Sequence, residues 1–156
     1  MMVRCITVAA LVLAPAVTLP AGAAMAASGP DIVQGSRTGL SWSRADNGHD
    51  INWADAKAYC SRKRGGWRLP SVEELATLYA PDGGHRGAAQ CGTARCSVSR
   101  QFHLTGPWFW SATPVAAAES IDYDEEAWGV LLVNGARTQA LKDDGYGARA
   151  LCVRGP

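Results

Sequence analysis

Four cysteines, Cys60, Cys91, Cys96 and Cys152, follow an N-terminal segment with the marks of an export leader, and this combination constrains the fold more than any other feature. Arg4 supplies the leading charge, Ile6 to Val17 the apolar run, and Ala24-Met25-Ala26 a small-x-small cleavage pattern. Residues 1–26 are therefore expected to be removed as a signal peptide. The run is too short for a membrane anchor and is broken by Pro15 and Pro20, and Cys5 lies ahead of it rather than at its end, where a lipid-attachment Cys would sit. The remaining chain is expected in the periplasm or outside the cell, not inserted in a membrane, where thiols oxidise. Four Cys allow three pairings. The favoured one joins Cys91 to Cys96, neighbours in sequence, and Cys60 to Cys152, an early helix to the last strand. In the chain-entropy model these loops contribute about 2 and about 4.6 kcal/mol. The competing use is zinc, since His85, Cys91, Cys96 and His103 have the ligand chemistry, but their spacing matches no common zinc motif. No metal or other cofactor is expected.

A chain of 156 residues accommodates one domain, expected over residues 38–156 after a short lead-in at 27–37. Removing Arg4 brings the 15 Lys and Arg level with the 14 Asp and Glu, which excludes a general nucleic-acid binder on charge. Thr38 to Trp42 alternates as a short strand. Asn52 caps a helix over 53–63 with Trp53, Ala56 and Cys60 on one side, stopped by Gly65-Gly66. Ser71-Val-Glu-Glu74 is a capping box, predicting a second helix over 72–79 before Pro81. Asp82 to Pro107 lacks sustained periodicity and is expected to be a long loop pinned by Cys91–Cys96. Strands are expected at 108–112, 127–133, 137–141 and 149–153, with Asn134-Gly135 as a hairpin turn. Helices first and antiparallel strands later make an α+β domain.

The ordered set Thr38-Gly-Leu-Ser-Trp42, Trp53-Ala-Asp-Ala56, Tyr59-Cys60, Gly66-Trp-Arg-Leu-Pro-Ser71, Glu74-Leu75, Phe109-Trp-Ser-Ala-Thr113, Ala127-Trp-Gly129, Asn134-Gly135 and Cys152-Val-Arg-Gly155 resembles the Lcl C-terminal domain family, bacterial exported domains of mostly unassigned function. The resemblance covers about residues 38 to 155. It implies a C-type-lectin-like fold: paired terminal strands, two short helices flanking small antiparallel sheets, and a long irregular loop region carrying the binding surface. It also implies a disulfide from the first helix to the last strand, in support of Cys60 with Cys152. The Glu-Pro-Asn and Trp-Asn-Asp triplets of calcium-dependent lectins do not occur, so calcium-mediated sugar chelation is not carried over.

Trp67, Arg68, Leu69, Pro70 and Ser71 are read as a structural motif: two core-directed side chains, a carbonyl or carboxylate partner, a stop and a cap. Trp42, Trp53, Trp110 and Trp128 are expected in the core, and Trp108 with Phe109 as an exposed pair. No nucleophile elbow, Walker loop, dinucleotide fingerprint or His-Glu-x-x-His motif occurs, so catalysis is not expected; a Cys-dependent oxidase akin to formylglycine-generating enzymes is the remaining enzyme reading, by analogy of fold alone. Charge placement says more than charge total. Gly83 to Ala118 contains no Asp or Glu but holds His85, Arg86, Arg95, Arg100 and His103, whereas Glu119 to Glu126 holds Glu119, Asp122, Asp124, Glu125 and Glu126 and no Lys or Arg. The two segments either neutralise each other or form an anion-binding loop, and Asp122, Asp124 and Glu126 are a weaker calcium candidate. The favoured function is an exported, non-catalytic module that engages a glycan, acidic polysaccharides included, or a protein surface through Arg86, Arg95, Arg100, His103, Trp108 and Phe109. The alternative is a structural or assembly component of the cell envelope. Neither the ligand's identity nor the oligomeric state follows from the sequence.

Overall fold

The computed structural model describes residues 31–35, 38–122 and 124–155. The expected leader at 1–26 and the lead-in at Ser28 to Pro30 lie outside them. The rest is a mixed α+β arrangement of two short helices and three small sheets.

Strands β1 (Ile32–Gln34) and β2 (Ser41–Ser43) form an antiparallel hairpin. Residues 32–34 had been expected in the lead-in. They are a strand because Val33 sits opposite Trp42 and is buried with it, a pairing too short to show as periodicity. Helix α1 (Trp53–Ser61) starts at Asn52, whose side chain accepts from the Asp55 backbone N–H, and buries Ala56 and Cys60. Helix α2 (Val72–Ala76) carries the predicted capping box and buries Val72 and Leu75. It ends three residues early, since the Thr77 hydroxyl donates back to the Glu74 carbonyl and competes with a further turn.

The segment expected as a loop is largely ordered. A 3-10 turn at Pro81–Gly83 leads into the hairpin β3 (Ala89–Cys91) and β4 (Ala94–Cys96), and Val98, Phe102 and Leu104 are buried beyond it. These side chains follow neither a helical nor a strand period, so pattern reading passed over them. The Cys91–Cys96 bridge joins the two strands of this hairpin. Gly92 turns it with a φ of +63°, and a Cβ there would lie 2.8 Å from the Thr105 carbonyl oxygen, so a side chain would push the hairpin off the chain behind it.

Strands β5 (Trp108–Pro114), β6 (Glu126–Leu131), β7 (Ala136–Leu141) and β8 (Ala148–Arg149) form a sheet in the order β7-β6-β5-β8, with β8 parallel to β5. Asn134-Gly135 makes the expected turn. The single C-terminal strand expected at 149–153 is split into β8 and β9 (Val153–Arg154), which serve different sheets: β9 pairs with β2. The terminal strands thus share one sheet in the order β1-β2-β9.

Alternation along β5 assigns its two faces. Phe109 belongs to the cluster with Trp42, Leu75, Val130 and Leu151, on the α2 side, and Trp110 to the cluster with Ala56, Cys60, Leu69 and Cys152, on the α1 side. Burying one such side chain stabilises by about 1.5–3 kcal/mol, so both faces contribute. Trp110 donates its indole N–H to the Ile51 carbonyl at 2.8 Å and Trp53 to the Ser111 carbonyl at 2.7 Å, which locks the entry of α1 to β5. Trp42 and Trp110 are core residues as expected, while Trp53 and Trp128 are half-buried.

The Trp67 to Ser71 motif is structural. Arg68 and Val153 exchange backbone hydrogen bonds of 2.9 Å in both directions, so the motif adds an extended segment beside β9. Leu69 is buried, the Arg154 guanidinium lies 4.8 Å from the centre of the Trp67 ring, and Arg68 grips Glu74 with two hydrogen bonds of 2.7 and 2.6 Å. Both Glu74 and the cap are therefore held together. The Arg68 guanidinium, then the Ser71 backbone N–H, hold the Glu74 carboxyl below its ordinary value of 4.5. A lowered folded value means that the unfolded state takes up the proton first, so this stabilisation is complete above pH 4.5 and is lost as the pH falls through the lowered value. Glu74→Gln is expected to cost on the order of 1 kcal/mol at neutral pH, discounted for the exposure of Arg68, and to cost progressively less in acid. Denaturant titrations of both proteins at several pH values read this directly, and a difference that is constant with pH counts against it.

The second disulfide joins Cys60 to Cys152 across 92 residues, against 5 for Cys91–Cys96, and all four Cys are buried. Both pairings are those favoured from the sequence. Replacing Cys60 and Cys152 by Ala is expected to lower the melting temperature more than replacing Cys91 and Cys96, since the longer loop gains more freedom when opened. Thermal unfolding of the two double variants decides the order.

Candidate functional site

An open groove of about 660 Å³ lies between the segment Ala45 to Gly48 and the β3–β4 hairpin, floored by Phe102 and Leu104. Two features of local folding build one wall. An isolated bridge pairs Ala45 with His103, whose backbone N–H donates to the Arg44 carbonyl at 2.8 Å, and Asp46 ties the wall to Thr105. The Asp46 carboxylate accepts from the Thr105 backbone N–H at 2.6 Å, the Thr105 hydroxyl at 2.9 Å and the Gly48 backbone N–H at 2.8 Å. Asp46 is buried, and these three donors replace the water it gave up. The other wall is the disulfide-bonded hairpin, which presents Gln90 and Arg95.

The structure brings Arg95, Arg100 and His103 together on this groove, all three exposed, from positions spread over nine residues of sequence separated by a buried turn. Arg86 is exposed but does not line it. Phe109 is a correction: it is buried to 0% exposure on the α2 face of β5, because alternation puts it opposite Trp110, and it offers no surface to a ligand. Trp108 is half-buried and lines a different cleft. Gln90, Asn47 and Asp46 were missed. Asp46 gave no signal, since its partner Thr105 lies 59 residues away.

Thr105 also accepts from Arg149 Nε at 2.8 Å, and Arg149 pairs with Asp50. The Gly147 backbone N–H, then the Arg149 guanidinium, hold the Asp50 carboxyl below its ordinary 3.8. The groove edge is thereby connected to the loop before β8.

Among the described residues the ion pairs are Arg68–Glu74, Arg137–Glu73 and Arg149–Asp50, and none of them joins the basic segment to the acidic one. Lys142 Nζ instead donates to the Asp124 carbonyl. Asp122 and Asp124 are exposed on the turn, Glu126 begins β6, and among the described residues no group of three or more His, Cys, Asp or Glu stands close enough to hold a metal ion. The zinc alternative fails because Cys91 and Cys96 are bonded to each other. Among the described residues every Cys is in a disulfide, and no helix is long and apolar enough to cross a membrane.

An α+β domain stapled by two internal disulfides, with its terminal strands in one sheet and an open groove beside a bridged hairpin, is the class defined by this geometry. The model of the Lcl C-terminal domain matches residues 31–154, and the chain belongs to that family. The match begins at β1, seven residues ahead of the segment where the resemblance is legible by motif. No curated protein matches the chain.

Asp46→Ala is expected to destabilise the fold by about 2 kcal/mol, because it removes the charged acceptor of three hydrogen bonds from Thr105 and Gly48. Amide exchange at Thr105 should rise with it; unchanged stability and exchange would show the carboxylate to be dispensable for the groove wall.

Proposed function

We propose that this chain is an exported, non-catalytic binding module of C-type-lectin-like architecture, whose groove holds the acidic groups of a polysaccharide. The observation that carries this reading is the convergence of Arg95, Arg100 and His103 on one groove whose only carboxylate, Asp46, is already engaged by three internal donors. An Arg guanidinium presents a planar fork that grips two oxygens of a sulfate or carboxylate at once. The disulfide across the hairpin holds the Arg95 backbone in place, so little ordering is lost on binding. Shared placement of the terminal strands and the disulfide from α1 to Cys152, just before β9, support the lectin-like architecture, and paired cysteines support export. A role as an envelope component facing a protein partner is the second reading, in which Ile121, 95% exposed within the acidic segment, would be one apolar contact.

The groove is open to solvent, so binding should be modest and should weaken as salt shortens the Debye length below about 8 to 10 Å. On immobilised heparin the protein is expected to be retained at low salt. Arg95→Ala combined with Arg100→Ala should elute at lower salt, and Asp124→Asn at the same or higher salt. Absence of retention at low salt overturns the acidic-glycan reading and leaves the protein-partner one.

A further inference from the structure

A second cleft, of about 240 Å³, is lined by Trp108, Trp110, Thr138, Gln139, Asp144 and Tyr146 among others. Its chemistry differs from that of the groove: none of its lining residues is Lys, Arg or His. Tyr146 is 91% exposed, an aromatic that the fold leaves unburied, and it stands on a loop shaped by its own backbone N–H donating to Asp144 Oδ1 at 2.9 Å. That bond takes one oxygen of Asp144, and the carboxylate has a second. Trp108 is held rigidly: its benzo ring covers the bare Cα of Gly129, where a Cβ would come within 2.1 Å of the ring, and Trp110 meets it edge-on with centroids 4.6 Å apart. Gly129 therefore makes room for the indole.

We infer that this cleft binds a neutral pyranose ring, with Tyr146 and Trp108 as the apolar surfaces and Asp144 and Gln139 as hydroxyl partners. A pyranose has one face of C–H groups and a rim of hydroxyls, which asks for flat aromatic surface beside a few acceptors and amides and for no cation. The competing ligand for an exposed Tyr beside a half-buried Trp is a proline-rich peptide in the polyproline II conformation. Recognition of its carbonyls by the indole is already blocked, because Trp108 Nε1 donates to Thr138 Oγ1 at 2.6 Å. The cleft also lies near the groove: Tyr146 stands three residues before Arg149, which pairs with Asp50 and donates to Thr105 on the groove wall. A glycan chain with both charged and neutral residues would find a place for each, yet the cleft's own assignment stands without the anionic ligand of the groove.

The test titrates the purified protein with neutral hexasaccharides of glucose, mannose, galactose and N-acetylglucosamine, following tryptophan fluorescence, and with a proline-rich decapeptide. Saturable binding of at least one hexasaccharide is expected, weakened roughly tenfold by Tyr146→Ala and little changed by Tyr146→Phe, which keeps the ring. High salt and Arg95→Ala with Arg100→Ala should leave it unchanged, so failure of the heparin experiment and failure here are separate results. No binding of any of the four sugars, binding indifferent to Tyr146→Ala, or binding of the peptide alone overturns the assignment.

Discussion

Everything in this fold is referred to the short run from Ala150 to Arg154. Cys152 is bonded to Cys60 of α1, its carbonyl accepts from the Ser43 backbone N–H at 2.8 Å, and its own N–H donates to Ser43 Oγ at 3.0 Å. One residue later, Val153 pairs with Arg68 on one side and Trp42 on the other. Two residues earlier, the Ala150 N–H donates to Asn47 Oδ1 at 2.7 Å while its carbonyl accepts from the Asn47 N–H. Five residues thus join the first hairpin, the first helix, the Trp67 to Ser71 motif and the groove wall. Residues 150–153 are buried, so these polar groups have no water to fall back on, and losing one partner strands the other. The covalent link is one member of this junction, and it closes the longer of the two disulfide loops.

The groove depends on the junction at one remove. Asn47 is held by Ala150, and Asp46 beside it holds Thr105, so the wall from Ala45 to Gly48 is a strap stretched between the C-terminal run and the segment after the hairpin. Of the candidate residues, Arg95 sits on β4 while Arg100 and His103 sit on irregular backbone, and these segments are bridged by a carboxylate and a disulfide. Such a loop can vary in its outward side chains, Arg95, Arg100 and His103, without disturbing what anchors it.

What was legible in the sequence was whatever has a local cause. The caps at Asn52 and Ser71, the Asn134-Gly135 turn and the alternation of β5 to β7 are set within a few residues, and all were placed closely. The cysteine pairings followed from compartment, spacing and family likeness. What was missed has its cause far away. β1 exists because β2 and β9 continue its sheet, the apolar residues Val98, Phe102 and Leu104 are buried by the hairpin and not by their own period, and Asp46 is bound to a residue it cannot be matched with by spacing. Phe109 was misjudged for a related reason. Its position after an irregular segment implied exposure, whereas its place between Trp108 and Trp110 on a strand buried on both faces required the opposite. Of the candidate site, the basic window was visible as composition, but which of its cations share a groove was decided by tertiary contacts.

The same sheet that hides Phe109 explains why the exposed aromatics lie where they do. β5 is covered by α2 on one face and by α1 on the other, but the cover from α1 ends before β7, whose partner residues on that face are Ala136, Thr138 and Ala140. Small side chains there cannot fill the space beside Trp110. Trp108 fills part of it by reaching across Gly129 to Thr138, and the loop carrying Tyr146 stands over what remains. A sheet edge finished with Leu or Val in place of these alanines would close over and leave no cleft. Gly129 and the alanines of β7 are thus as much a part of the concavity as the aromatics that line it, in the sense that their lack of side-chain volume creates the space into which a ring can be placed.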